Sequence, residues 1–196
     1  MNPLTHFFAG WVLACPADLS RRDRALICAA SVAPDLDGLG LLFDIAAGHP
    51  EGGYVWYGRF HHVLGHNILF ILAATLAVGL LARRRAMTAL LAFTVLQLHI
   101  LADVVGARGP DGFQWPIAYL LPFTDAVSLS WRGQWMLNAW PNVVITAALV
   151  ALTLFAAWRR GYSPVGLFSE RADRAFVETL RRRFGRPPGK KKAPGR

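Results

Sequence analysis

The 196-residue sequence contains only two cysteines, Cys15 and Cys28, and they do not form a CxxC pair. Two isolated cysteines are too few for a disulfide framework and lack zinc-knuckle spacing, so we expect both to be buried as small apolar residues. GxSxG, reactive-cysteine and P-loop motifs are also missing, which leaves serine-nucleophile, cysteine-nucleophile and NTPase chemistry without support. Since no Lys or Arg precedes Arg21, we expect no secretory signal peptide.

The composition combines high apolar content with a strong positive charge. Hydrophobic residues make up 54% of the chain, the mean hydropathy is +0.34 and the formal net charge is +9. Soluble domains usually contain about 45–50% apolar residues. Apolar and basic residues must therefore be segregated along the sequence, as in a membrane protein with cationic loops and a cationic tail. The length suits one domain.

The apolar segments predict an all-α fold, an integral membrane helical bundle with a short N-terminal helical hairpin, three spanning helices and a C-terminal amphipathic helix. The hairpin comprises residues 4–15, with Thr5 as N-cap, and residues 25–32, which end before Pro34. Its first arm is too short to cross a bilayer. The predicted spans are residues 63–82, 86–105 and 142–158. The tryptophan-rich segment 107–140 is expected to form a lid at the membrane interface.

The C-terminal part is basic. In residues 169–184 the apolar side chains of Ala172, Phe176 and Leu180 share one face and arginines surround the other. Such a helix suits an anionic membrane surface, and a plain solvated helix is an equally good interpretation. We therefore predict a membrane-embedded domain at 1–160, a basic amphipathic helix at 161–184 and a disordered basic tail at 185–196. Membrane lipids, rather than nucleic acid, are the expected partners.

The basic residues also predict the orientation. All but three of the 21 lie in the turn at Arg21–Arg24, in the turn at 83–85 or in the chain from Arg159 onward; the exceptions are Arg59, Arg108 and Arg132. Cytoplasmic loops of membrane proteins carry an excess of Lys and Arg. We expect a multi-pass membrane protein with its C-terminus in the cytoplasm.

Imidazole and carboxylate side chains lie at the ends of the apolar segments that point away from these basic turns. Because the direction of the chain alternates from helix to helix, residues from distant parts of the sequence should meet at one end of the bundle. This end is the predicted metal site. Its candidate ligands are His6, Asp35, Asp37, His61, His66, His99 and Asp103, and His62 lies in the same stretch.

Local spacings support this site. His99 and Asp103 are four residues apart on one helical face, and ionisable groups within a span mark functional sites. If the following helix has begun by His62, then His62 and His66 are four residues apart and point the same way. Asp35 and Asp37 would share a direction in an extended segment. This ligand set suits zinc or another first-row divalent ion, with one to three ions bound.

Each residue also has an ordinary explanation. Asp103 could cap its helix or pair with Arg108, and Asp35 and Asp37 could be turn residues. Only their joint placement at one end favours a metal site. His49 stands in a loop without partners and is not predicted as a ligand.

The order of these motifs resembles the membrane-bound metal-dependent hydrolases, a bacterial inner-membrane family with a LexA-binding member. That family's pattern is TH, PDxD, HRxxTHS and HxxxD, and the resemblance covers about residues 4–125. The third motif departs from the pattern, with His62 in place of Arg, Gly65 in place of Thr and Asn67 in place of Ser. His62 is therefore either a ligand or a hydrogen-bond donor beside the ligands. The family is distantly similar to zinc-dependent phospholipase C and S1/P1-type nucleases, which implies phosphoester hydrolysis.

The sequence and the resemblance together predict a membrane-bound, phosphoesterase-like hydrolase that acts on a phosphoester or lipid-linked substrate through metal-activated water. Asp37 is expected to be a further ligand or to orient the water, and His62 to share the catalytic role. The alternatives are a non-catalytic membrane metal-binding or transport protein and a bis-histidine haem protein. No feature of the sequence predicts an oligomeric state.

Overall fold

The computed structural model describes residues 1–48, 55–109 and 112–188. These residues form helices and two isolated β-bridges, with no strand, which confirms the all-α prediction. In chain order the elements are α1 (Pro3–Ala14), α2 (Arg21–Val32), a 3-10 helix (Ala33–Leu39), α3 (Gly40–Ala46), α4 (Val55–Phe60), α5 (Ile68–Leu81), α6 (Arg85–Gly106), α7 (Trp140–Arg160), a second 3-10 helix (Pro164–Leu167) and α8 (Glu170–Phe184).

Three helical stretches are long and apolar enough to cross a membrane, namely Arg21–Ala46, α6 and α7. Many large apolar side chains on α6 and α7 are exposed, including Leu90, Leu101, Val143 and Phe155. Contiguous apolar surface of this kind indicates contact with lipid or another apolar partner. The helical bundle with three helices of spanning length agrees with the predicted fold class.

One of the three helical stretches of spanning length is not the predicted one: Arg21–Ala46 is long enough, whereas α5 is not. Residues 63–82 were expected to span, but α5 begins only at Ile68 and has 14 residues, or about 21 Å of helix. The Asn67 side chain caps α5 by accepting a hydrogen bond from the Phe70 amide at 2.9 Å, so the preceding residues are free to form a turn. Conversely, helical structure continues past Pro34, because a proline fits the first turn of the 3-10 helix.

The N-terminal hairpin is present, with a correction at its start. Asn2, rather than Thr5, is the N-cap of α1, and its side chain accepts from the Thr5 amide at 2.9 Å. Thr5 lies inside the helix, where its hydroxyl contacts the Thr146 hydroxyl of α7 at 2.6 Å. Cys15 and Cys28 are both free and buried, as predicted.

The basic turns meet at one end of the molecule. Backbone amides of Arg83 and Arg84 donate to the buried Asp23 carboxylate at 2.8 and 3.3 Å, and Arg21 pairs with Glu170 of α8 at 3.2 Å. The helix predicted at 169–184 is present as α8, which packs on α7 and on the second 3-10 helix. Residues 189–196 of the predicted disordered tail lie outside the described residues.

One face of α6 connects the core with the candidate site. Ala92, Leu96 and Ile100 on this face pack into the main apolar cluster with residues of α2 and α5. His99 and Asp103 continue the same face and are also buried. The packing of α6 therefore fixes the two polar residues in position.

Candidate metal centre

Four parts of the chain converge at the end opposite the basic turns. The 3-10 helix Ala33–Leu39 carries two aspartates, the turn before α5 carries three histidines, α6 carries a histidine and an aspartate, and α1 carries a histidine. Every candidate ligand named from the sequence lies in this region: His6, Asp35, Asp37, His61, His62, His66, His99 and Asp103. His49 lies outside the described residues.

Hydrogen bonds determine which nitrogen of two imidazoles carries the proton. His99 Nδ1 lies 2.8 Å from the Ser31 carbonyl oxygen, which can only accept, so Nδ1 is the protonated nitrogen. His66 Nδ1 lies 2.9 Å from Asp37 Oδ2 and donates to that carboxylate. In the neutral imidazoles the Nε2 atoms of His66 and His99 therefore carry lone pairs.

These two lone pairs point at each other and at a carboxylate. The Nε2 atoms of His66 and His99 are 3.2 Å apart, and Asp103 Oδ2 lies 3.3 Å from the former and 3.1 Å from the latter. All three residues are at most 1% exposed. Three acceptors in mutual contact need a shared cation or proton. Ligands around a tetrahedral zinc ion, with bonds of about 2.0–2.1 Å, are separated by roughly 3.3 Å, so these distances suit a metal.

Two overlapping sets of side chains could hold an ion. The first comprises His6, Asp35, His99 and Asp103, and the second His62, His66 and Asp103; the ligand atoms of each set lie within 4.8 Å of one another. Asp103 belongs to both sets, with Oδ1 3.3 Å from His6 Nε2 and Oδ2 facing His66 and His99. A carboxylate in this position can bridge two ions.

Unsatisfied polar atoms surround the same point. Asp35 Oδ2 and His62 Nδ1 are buried without a hydrogen-bond partner among the described residues, and the buried His6 Nε2 has only the 3.3 Å contact with Asp103 Oδ1. The His6 ring stacks on the His99 ring at 3.7 Å between centroids. Leaving such atoms unpaired costs about 1–3 kcal/mol each. A bound cation would remove this cost for His6 and Asp35.

Asp37 and His61 lie beside the two sets. The Asp37 carboxylate accepts from His61 Nδ1 at 2.9 Å, from His66 Nδ1 at 2.9 Å and from the Gly65 amide at 3.0 Å. Its oxygens therefore hold His66 in place, as carboxylates behind zinc-bound histidines do. The prediction that Asp37 and His61 are ligands stays a prediction, and this geometry favours a positioning role for Asp37.

The turn that carries the histidines is tightly constrained. His62 has φ 64°, in the left-handed region that residues other than glycine rarely adopt, and this conformation directs its side chain into the site. A Cβ on Gly65 would lie 2.4 Å from the Pro34 carbonyl oxygen. The helix has not begun at His62, so the condition under which His62 and His66 would share a helical face is not met: both reach the site through a turn.

The segment around Asp35 and Asp37 is not extended, the condition under which the two would share a direction, since both lie in the 3-10 helix. With three residues per turn, positions two apart point in different directions. Asp35 Oδ1 accordingly faces His99 Nε2 at 3.6 Å, whereas Asp37 faces His61 and His66. The two aspartates thus serve different parts of the cluster.

Burial sets the charge state of the turn histidines. It lowers the pKa of His62 well below its ordinary value of 6.5, and neighbouring imidazoles lower it further. Burial also lowers the pKa of His66, although the hydrogen bond with Asp37 opposes this. Both side chains are therefore neutral at pH 7, the form that binds metals.

Several contributors to the site carried no signal in the sequence. Gln134 Nε2 donates to the Asp103 carbonyl at 2.8 Å, and the Met1 amine contacts Asp103 Oδ1. The Ser31 carbonyl could not be identified because backbone groups have no sequence signature. Trp115 packs edge-on against the rings of His61 and His62 at 5.7 and 5.8 Å. The sequence placed Trp115 in an interfacial lid but did not predict this contact with the histidines.

A cavity of about 950 Å³ opens beside the cluster. Asp35, His61 and His62 line it on the side of the candidate ligands. Its other walls are mainly apolar and aromatic, and include Leu42 and Trp115. A substrate in this cavity would thus reach the metal-binding residues from a largely apolar space.

Comparison with known proteins gives one result. The family model described as YdjM inner membrane protein matches residues 1–169, which include the hairpin, the long helices and every candidate ligand. Searches of curated proteins and of solved structures found no match. The match extends over most of the chain, and the protein therefore belongs to the YdjM inner membrane protein family.

Proposed function

We propose that this protein is a membrane-bound metal-dependent hydrolase that acts on a phosphoester or lipid-linked substrate. The observation that carries the proposal is the convergence of His66 Nε2, His99 Nε2 and Asp103 Oδ2, three buried acceptors within 3.3 Å of one another. The resemblance to metal-dependent hydrolases, and through them to zinc phospholipase C, supplies the reaction class by analogy. The cofactor we propose is zinc.

The residues of the site have two proposed roles, binding the metal and orienting its ligands. His66, His99 and Asp103 would hold one ion through the acceptor atoms that face one another, and the set of His6, Asp35, His99 and Asp103 could hold a second one. Asp37 orients His66 through Nδ1. A divalent ion held there would supply Lewis acidity, which polarises a substrate oxygen and lowers the pKa of a bound water to near 7. The ring of His66 cannot turn away from the site without breaking its hydrogen bond to Asp37.

His62 is the best candidate for moving a proton. It lines the cavity, its Nε2 lies 4.0 Å from Asp103 Oδ2, and Nδ1 has no hydrogen-bond partner among the described residues. Because burial keeps the ring neutral, it can accept a proton from water. This agrees with the catalytic role expected from the sequence.

The membrane arrangement is part of the proposal. The basic turns and α8 share one end of the molecule, and the positive-inside rule assigns that end and the C-terminus to the cytoplasm. The candidate site then lies near the opposite membrane surface. Alkaline phosphatase and green fluorescent protein fusions at the C-terminus would test this orientation, because the former is active only outside the cytoplasm.

Two measurements on detergent-purified protein test the function. Elemental analysis should find at least one zinc per chain in the wild type and a strong loss in His66→Ala and Asp103→Ala. Hydrolysis of a chromogenic phosphoester should disappear in the same variants, while Asp18→Asn, which alters an exposed carboxylate at the basic end, keeps both properties. Zinc bound without hydrolysis of any phosphoester tested would favour the alternative of a non-catalytic metal-binding or transport protein.

A further inference from the structure

The cavity beside the candidate metal centre has one strong cation in its wall. Arg108 is the only arginine or lysine among the described residues that line it. Leu39, Leu42 and Leu137 contribute apolar surface to the same wall. The cavity therefore combines a long apolar surface, a single guanidinium and, on the side of Asp35, the metal-binding residues.

The Arg108 guanidinium is poorly satisfied within the protein. Its Nη2 donates to the Arg132 carbonyl oxygen at 3.1 Å, and its Nε is buried without a hydrogen-bond partner in the described part of the chain. The described residues offer it no carboxylate within ion-pair distance; in particular Asp103, an alternative partner suggested by the sequence, contacts histidines and the Met1 amine instead. Arg108 is half-buried, and its guanidinium therefore retains N–H donors that an anion in the cavity could use.

The backbone of Arg108 is firmly held. Its amide donates to the Trp135 carbonyl oxygen at 3.1 Å and its carbonyl accepts from the Leu137 amide at 3.0 Å. It follows the last residue of α6, Gly106, by two positions. The guanidinium and the Asp103 carboxylate are thus attached to the same helix end, at a fixed separation along the backbone.

We propose that this cavity binds an amphiphile with a phosphate headgroup, and that Arg108 binds the phosphate while the leucine-lined wall holds the apolar tail. The inference rests on the proposed hydrolase function and narrows its substrate to a phosphate-bearing lipid. Guanidinium groups bind phosphate through paired hydrogen bonds. Inorganic phosphate gains nothing from the apolar wall, whereas a lipid phosphate uses both parts of the cavity.

Binding tests the proposal without catalysis. Zinc-loaded protein in maltoside micelles is titrated calorimetrically with dodecyl phosphate, and affinity is expressed as a mole fraction. Arg108→Gln should weaken binding about 10- to 100-fold, the range for losing a hydrogen bond to a charged group. Arg59→Gln removes an exposed cation near the same end that does not line the cavity, and it should bind like the wild type. Zinc content must stay equal in all three proteins.

Two binding outcomes contradict the proposal. Equal affinity of wild type and Arg108→Gln for dodecyl phosphate would show that the guanidinium does not contact the headgroup. Inorganic phosphate that binds as tightly as dodecyl phosphate would make free phosphate the ligand and remove the role of the apolar wall.

Kinetics separates this proposal from the proposed function. With an alkyl nitrophenyl phosphate as substrate, Arg108→Gln should raise KM about 10- to 100-fold and change kcat less, as expected for lost substrate binding. Hydrolysis with an unchanged KM in Arg108→Gln would overturn the role of Arg108 and leave the hydrolase intact. Absence of hydrolysis together with Arg108-dependent binding would instead overturn the hydrolase and leave the lipid-phosphate site standing.

Discussion

His66 Nε2 and His99 Nε2 lie 3.2 Å apart, and each ring has its other nitrogen committed to an oxygen acceptor, Asp37 for His66 and the Ser31 carbonyl for His99. Two neutral imidazoles with facing lone pairs repel each other. The same arrangement becomes favourable when a cation lies between the nitrogens and Asp103. The structure is thus arranged for an ion that His66 and His99 share.

This relationship predicts that the two histidines act as one unit. His66→Ala and His99→Ala should each reduce zinc affinity by more than the 10- to 100-fold typical of losing an outer-shell partner. The double variant should lose little more than either single one, because one missing ligand already opens the site. Zinc affinity is measured by competition with a chromogenic chelator. Independent, additive losses would mean that the two residues do not bind the same ion.

Asp37 is predicted to act through His66. The two Asp37 oxygens face His61 and His66, and in Asp37→Asn only one of the two side-chain atoms is still an acceptor. The Nδ1–H of His66 therefore loses its charged acceptor. Zinc affinity should fall about 10- to 100-fold while the metal-to-protein ratio at saturating zinc stays unchanged. Asp18→Asn, an exposed carboxylate at the other end, is the matched control. A lower metal-to-protein ratio at saturation would show that Asp37 is itself a ligand.

The sequence was sufficient to predict that these residues meet. His6, Asp35, His66, His99 and Asp103 flank apolar segments whose directions alternate, and the bundle indeed brings them together. Helix α6 was predicted to within one residue at each end, because its apolar run is bounded by arginines and a glycine.

The local backbone around the site could not be predicted from periodicity. The turn that contains His62, with its φ of 64°, is held by tertiary contacts such as the bond from the Gly65 amide to Asp37, and α5 begins only at Ile68, after the Asn67 cap. The continuation of helical structure through Pro34 depends on a 3-10 helix, which hydrophobic patterns do not distinguish from a turn. Both differences alter which way the site residues point, and they separate Asp37 from the two ligand sets.

Gly65 is predicted to be essential for the turn. It stands where the resembled family pattern has threonine, yet a Cβ here would lie 2.4 Å from the Pro34 carbonyl oxygen and 2.7 Å from Pro34 Cα. Backbone atoms of the 3-10 helix cannot move without displacing Asp35 and Asp37. Gly65→Ala should therefore destabilise the metal-free protein by about 1–3 kcal/mol and weaken zinc binding.

Thermal melts and zinc titrations of Gly65→Ala check this, with Gly58→Ala as control, because a Cβ on Gly58 of α4 meets no atom within 4 Å. A Gly65→Ala protein as stable as Gly58→Ala would show that the turn is looser than the structure indicates.

The lowered pKa values of His62 and His66 predict how the metal-free protein responds to acid. Their ordinary value is 6.5 and burial lowers both in the folded state, so below pH 6.5 the unfolded chain takes up protons that the folded chain does not. Well above pH 6.5 these two histidines should add no pH dependence to the free energy of unfolding. Below pH 6.5 they should make it fall as the pH drops. One such group contributes at most about 1.4 kcal/mol per pH unit.

Thermal melts of chelator-treated protein between pH 7.5 and 5.5 measure this dependence. The buried Met1 amine, whose pKa burial lowers to about 5, adds a decrease of the same sign that begins nearer pH 8. Comparing the wild type with His62→Gln cancels this shared part, because both proteins keep the amine. The variant should lose less stability between pH 6.5 and 5.5, since glutamine does not titrate. Parallel curves for the two proteins would mean that the pKa of His62 is the same in the folded and unfolded states, and burial would then not be what keeps the ring neutral below pH 6.5.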